Sequence, residues 1–220
     1  MSLIKSFSII LFVTFLFSSC GSGTRESVYK DECGSLKTFT VDEAYCEKYG
    51  LTVENFTITY PDQLEMETQA DYRSSNYASF FKYSSDSIMQ QSLNIGFYNG
   101  VSESGEDSFL NNMVGVSKKS LLQSLASQFR AQGFDLQDVT MQDENIFGEE
   151  HFTLRGKLAI DNVPMEYKGN YLMQMVMVGT ADDRGILLIM AGRDDSGITT
   201  FEDFESKGCL HPIIHSLIQL

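Results

Sequence analysis

The sequence predicts an α+β domain: a mainly antiparallel sheet, one long central helix and a helix at the C-terminus. Three observations predict it. Several runs alternate apolar and polar residues, the period of a half-buried strand, as in Phe56-Thr-Ile-Thr-Tyr60. One stretch, 117–133, sets Leu121, Leu122, Leu125, Ala126 and Phe129 along a single helical stripe. Two late runs, 165–178 and 186–190, are apolar on both faces, as strands covered on both sides are.

The chain opens with Lys5, an apolar run from Phe7 to Phe17, and then Ser18-Ser19-Cys20. A short basic region, an apolar stretch and small residues in that order make a secretory signal, here 1–19. A transmembrane helix needs about 20 apolar residues, more than this run supplies. The segment Leu16-Phe17-Ser18-Ser19-Cys20 resembles the lipobox of bacterial lipoproteins, with Phe17 standing where Leu is usual. The resemblance implies cleavage before Cys20, lipidation of its thiol and acylation of its new amino group. Two or more acyl chains anchor a protein stably to a membrane. Gly21-Ser-Gly-Thr-Arg25 is then a short flexible leash. Gly21-Ser22 lacks the aspartate associated with inner-membrane retention, so the expected address is the outer membrane, facing the periplasm.

The region 20–50 reads as lipidated cysteine, tether and N-terminal extension, with the stretch from Val41 a short helix ended by Gly50. In an oxidising periplasm Cys33 and Cys46 make a reasonable disulfide across a small loop. Pairing of either with Cys209, or three free thiols, stays open, because spacing alone does not fix connectivity.

The folded body is expected over 51–220. Pro61-Asp62 turns the chain between Phe56–Tyr60 and Leu64–Thr68, which read as a hairpin. Tyr77–Tyr83 and Ser92–Tyr98 follow as strands, the second with Leu93, Ile95 and Phe97 on one face, and Asn99-Gly100 as a turn. An earlier turn at 109–114 extends or precedes the long helix, which Ser117 caps and Gly133 closes. Leu136–Met141 is a further strand candidate. Phe152–Ile160, Met165–Val178 and Ile186–Met190 read as an antiparallel meander with turns at Asp161-Asn162 and Asp182–Gly185. Thr199 or Thr200 caps Phe201–Glu205, and Gly208 and Pro212 interrupt the chain before Leu210, Ile213, Ile214 and Leu217 line the face of a last helix.

This order, with the opening Phe56-Thr-Ile-Thr-Tyr-Pro61 and the closing Ile213-Ile-His-Ser-Leu-Ile218, resembles the PsbP-like/DcrB-like fold. The resemblance covers about 52–220. It implies an α/β/α sandwich and an accessory role in assembly, stability or binding, and it carries no residue-level function.

The chain holds 16 basic and 30 acidic residues, a net charge of −14. The leader's one charge is Lys5, so the mature body is more acidic still. Such a body is repelled by nucleic acid and by anionic headgroups. The expected partners are therefore the membrane, through the lipid on Cys20, and an unidentified protein or envelope component, with no nucleic acid and no cofactor.

Four groups carry candidate chemistry. His211 and His215 stand at i and i+4 on one helix face, a metal-ligand spacing, and support an alternative reading as a metal-binding or hydrolytic protein. Met173, Met175 and Met177 share a strand face and could offer thioethers to Cu(I), but methionine more often fills cores. The pairs Asp182-Asp183 and Asp194-Asp195 lie beside glycines, where turn chemistry explains them without a cation. His151 has no Ser or Cys motif near it in sequence, and the chain lacks a nucleophile elbow, a P-loop and a dinucleotide-binding turn. The expectation is a non-catalytic protein.

Overall fold

The computed structural model describes residues 33–51, 53–68, 76–98, 101–102, 116–132, 134–146, 148–161, 163–181 and 184–218. The signal, Cys20, the turns at 99–100 and 182–183, the 109–114 turn and Gly133 lie outside them.

Strand β1 (Leu36–Val41) and helix α1 (Glu43–Tyr49) open the fold. Asp42 caps α1 by accepting from the Tyr45 backbone N–H, and Gly50 closes it with φ 67°, a left-handed conformation natural to glycine. Strands β2 (Phe56–Pro61), β3 (Glu65–Thr68), β4 (Ala78–Tyr83) and β5 (Met89–Tyr98) follow. The two-residue strands β6 (Val101–Ser102) and β7 (Val116–Ser117) pair in parallel. Then come helix α2 (Lys118–Ala131) and strands β8 (Asp135–Ile146), β9 (Glu149–Ile160), β10 (Gly169–Ala181) and β11 (Arg184–Arg193). A 3₁₀ turn at Phe201–Glu205 and helix α3 (His211–Ile218) close the chain.

Seven strands form one antiparallel sheet in the order β3-β4-β5-β11-β10-β9-β8. The meander β9-β10-β11 is present as its pattern predicts, and β11 sits at the sheet's centre. Alternation along β10 and β11 builds two cores. Leu172, Val176, Val178, Ile186, Leu188 and Met190 face one cluster, which holds residues of the β1–β2 hairpin, α1 and α3. Met173, Met175, Met177, Leu187 and Ala191 face the other, which holds Leu122 and Ala126 of α2. The three methionines are thus core filler, enclosed among hydrophobic side chains.

Four expectations need correction. First, β2 and β3 are not a hairpin. β2 pairs with β1 as a separate ribbon, while β3 is the edge of the main sheet beside β4. Second, 33–50 is part of the folded body. Val41 and Cys46 are fully buried, and Tyr45 donates its hydroxyl to the Tyr77 carbonyl at 2.6 Å. Third, Met165–Tyr167 is a 3₁₀ turn after Pro164, and the strand begins only at Gly169. Fourth, Pro212 does not interrupt the last helix. It lies in the first turn of α3, where a missing N–H leaves no bond unmade.

The disulfide expectation is also overturned. Cys33 bonds to Cys209, with Cα atoms 5.4 Å apart, and Cys46 is a buried free thiol whose Sγ lies 3.9 Å from the Glu54 carbonyl. The reason is extension. Between Cys33 and α1 runs β1, six residues at about 3.3 Å each, which carries Cys46 away from its near neighbour in sequence. Meanwhile α3 packs on β2, and the backbone N–H of Cys209 is held by Gln91 Oε1 at 3.1 Å. The first and last parts of the described chain are therefore brought together. Closing a span of 176 residues restrains the unfolded chain by about 5 kcal/mol on the chain-entropy model, more than a short loop would.

Candidate functional site

Helix α2 begins at Ser117, whose Oγ accepts from the Ser120 N–H at 3.1 Å. Its first turn contains Lys118 and Lys119 and no acidic residue. That is the reverse of the usual arrangement, since the positive end of a helix favours anions by about 0.3–1 kcal/mol each. Across from it, β8 and β9 meet in a tight connection in which Asn145 Oδ1 accepts from the Gly148 N–H at 3.0 Å. Gly148 supplies the positive φ, 95°, that this turn requires. The register Ile146↔Glu149 and Asp143↔Phe152 then places Asp143, Glu149 and Glu150 at one end of the sheet.

Between these walls lies a cavity of about 650 Å³. Lys118, Lys119, Asp143, Glu149, Glu150, His151, Phe152 and Met177 are among the residues that line it. His151 is 7% exposed, and its Nε2 has no hydrogen-bond partner. The nearest charged group on its own strand is Glu149, with Oε2 at 3.9 Å. Burial pulls the His151 pKa below its ordinary value, and the Lys118 ammonium lowers it further. Glu149 and a hydrogen bond to the Met177 carbonyl act in the opposite direction. The neutral form of the ring is therefore favoured in the folded chain. A buried polar atom left without a partner costs about 1–3 kcal/mol.

Two smaller cavities do not share this feature. In one, of about 340 Å³, Asn94 Oδ1 already accepts from Ser79 Oγ at 2.7 Å and from Asn76 Nδ2 at 3.5 Å. In the other, of about 390 Å³, the Tyr171 hydroxyl donates to the Tyr167 carbonyl at 2.9 Å.

The residues singled out in the sequence do not converge. His211 and His215 do share a face of α3, with ring centroids 5.9 Å apart. No group of three metal-ligating side chains exists among the described residues. Asp195 pairs with Arg193 at 3.2 Å, as a turn residue does. Asp182-Asp183 and Cys20 are outside the described residues. The grouping around His151 was missed because its members come from α2, β8, β9 and β10. Two signals in the sequence pointed to it: the run Gly148-Glu-Glu-His151, and a lysine pair at a helix start where acids are the rule.

No protein-family model matches the chain, and no curated protein matches it. Among solved structures, the solution structure of cyanobacterial PsbP (CyanoP) from Synechocystis sp. PCC 6803 is similar at 12% sequence identity. It covers 90% of this chain and 96% of that one, with a TM-score of 0.44. At this identity and score the likeness assigns no role to any residue here.

Proposed function

We propose that this chain is a lipid-anchored accessory protein of the bacterial cell envelope. On this reading its body is a non-catalytic binding module, tethered through Cys20 to the outer membrane and facing the periplasm. The observation that carries the reading is Ser18-Ser19-Cys20 at the end of an export signal. Two further features support it. A disulfide between Cys33 and Cys209 suits an oxidising compartment, and the acidic balance suits a partner other than nucleic acid. The PsbP-like α/β/α sandwich belongs to the same reading. Helices lie in both outer layers, and the β1–β2 ribbon shares one of them. The binding element of the proposal is the cavity at the start of α2, which residues of both charges line.

Mass spectrometry of the mature N-terminus tests the anchor. The expected species begins at Cys20 and carries thioether-linked and amide-linked acyl chains. An uncut chain, or a start at another residue, overturns it. Sucrose-gradient fractionation of the envelope tests the address, with recovery in the outer-membrane fraction expected.

A further inference from the structure

We propose that the cavity near the β3 edge of the sheet binds a neutral pyranose sugar, its ring against Phe81 and Tyr83 and its hydroxyls on Glu67, Ser79 and Asn94. The inference goes beyond the reading above. It adds a second site to the body and depends neither on the anchor at Cys20 nor on the cavity at the start of α2.

Directly opposed residues of neighbouring strands share a face of the sheet. The register runs one such row across six strands: Glu67↔Ser79, Ser79↔Asn94, Asn94↔Ile189, Ile189↔Met175 and Met175↔Leu154. From Ile189 to Leu154 the row is apolar and belongs to the core that α2 helps to build. From Glu67 to Asn94 it is polar, although Ser79 is buried and Asn94 half-buried. Polar groups in such positions are costly unless bonded, and here they bond to each other. Ser79 Oγ lies 2.7 Å from Asn94 Oδ1, and Asn76 Nδ2 lies 3.5 Å from the same oxygen. That network holds part of the lining of a cavity of about 340 Å³. The next residues of β4 on this face are Phe81 and Tyr83, both half-buried, with ring centroids 6.2 Å apart and planes 29° from parallel. Tyr167, at the end of the Met165–Tyr167 turn, brings its hydroxyl to that of Tyr83. The lining thus combines flat apolar rings with hydroxyls and amides. A pyranose has the matching parts, a C–H face and a rim of hydroxyls that each donate and accept. Glu67, exposed at the edge strand, is an acceptor that strengthens a bond from a hydroxyl. Among the described residues no basic side chain lines the cavity, so an anion meets no counter-charge there. The volume is at the small end of the roughly 300–1,000 Å³ of ligand sites, which suits one ring.

Isothermal titration of the mature chain in detergent tests the site, with the methyl glycosides of glucose, galactose and mannose as probes. Tetramethylammonium and glucuronate serve as controls for a cation and an anion. Saturable binding of at least one glycoside is expected, with a Kd of about 1 mM or tighter and each ion at least about tenfold weaker. Phe81→Ala removes part of the apolar wall, and Glu67→Gln changes an exposed side chain on the edge strand. Each should weaken binding about tenfold. The melting temperature of the Glu67 variant should match that of the parent chain, which separates loss of affinity from loss of fold. Absence of saturation by all three glycosides at up to about 50 mM overturns the proposal. So does tetramethylammonium binding as tightly, which would make the rings and Glu67 a cation site. Equal binding of glucuronate, or unchanged affinity in both variants, overturns it too. None of these outcomes alters the mass of the mature N-terminus, so failure here and failure of the anchor are separable.

Discussion

The two faces of the sheet are built differently. On one, the β1–β2 ribbon, α1 and α3 press aromatic side chains against it. Phe56 meets Tyr77 edge-on at 5.2 Å, and Tyr60 meets Phe80 at 5.1 Å. The Cys33–Cys209 bond closes this side covalently. Arg155 adds a polar clasp, reaching Glu144 at 2.7 Å and Glu202 at 3.3 Å while lying over the Phe201 ring. On the other face α2 presses on a floor of methionines, and within α2 only Leu122 and Ala126 are fully buried. Methionine conforms to irregular space but fixes it less firmly than branched side chains do. The covalently closed face holds the fold together. The softer face ends at the start of α2, beside a cavity lined by residues of both charges.

The largest expected effect tests the closed face. Replacing Cys33 and Cys209 together by serine should cost about 5 kcal/mol in urea denaturation, and reductant should have a comparable effect on the native chain. Cys46→Ser should cost far less and should leave the effect of reductant intact. If the Cys46 variant instead abolished sensitivity to reductant, the pairing would be wrong. On the softer face, Met175→Ala should cost about 3 kcal/mol, because it deletes a wholly buried side chain between two strands and a helix. Ser117→Ala removes the cap of α2 and should cost about 1 kcal/mol in the same denaturation measurement.

The smallest expected effects depend on pH. His151 is held below its ordinary pKa of 6.5 in the folded state, chiefly by burial. Below that pH the unfolded chain binds a proton that the folded chain refuses, so this contribution is complete above 6.5 and lost as pH falls through the range beneath it. Asp203, on the closed face, is held below its ordinary 3.8 by the Lys207 ammonium first and then by the Thr199 and Thr200 donors. Its contribution persists until pH falls under about 3.8. Melting temperature should therefore decline from pH 6.5 to 5, and His151→Gln should flatten that decline. Asp203→Asn should not alter it, and should act instead by weakening the turn that precedes α3.

Much of the fold was legible because strands and helices announce themselves locally. Ser117 caps α2 as its sequence predicts, and Thr200 forms a capping box with Asp203. Met173, Met175 and Met177 lie on one face of β10, as alternation requires. The site was not legible in the same way. His151 stood without a partner in the sequence because its surroundings are assembled across four elements, and the run Gly148-Glu-Glu-His151 and the lysines at a helix start were the local clues.

By itself the sequence determined most of the elements after residue 51, their order, the meander and the double-sided burial of β10 and β11. These follow from side-chain period, which needs no partner to be read. Tertiary structure alone decided that β2 leaves β3 for β1, that Cys33 reaches past Cys46 to Cys209, and that lysines of α2 and carboxylates of β8 and β9 line one cavity. Those outcomes depend on which distant segments meet. An extended strand separates residues that are close in the chain, and packing across a sheet joins residues that are far apart in it.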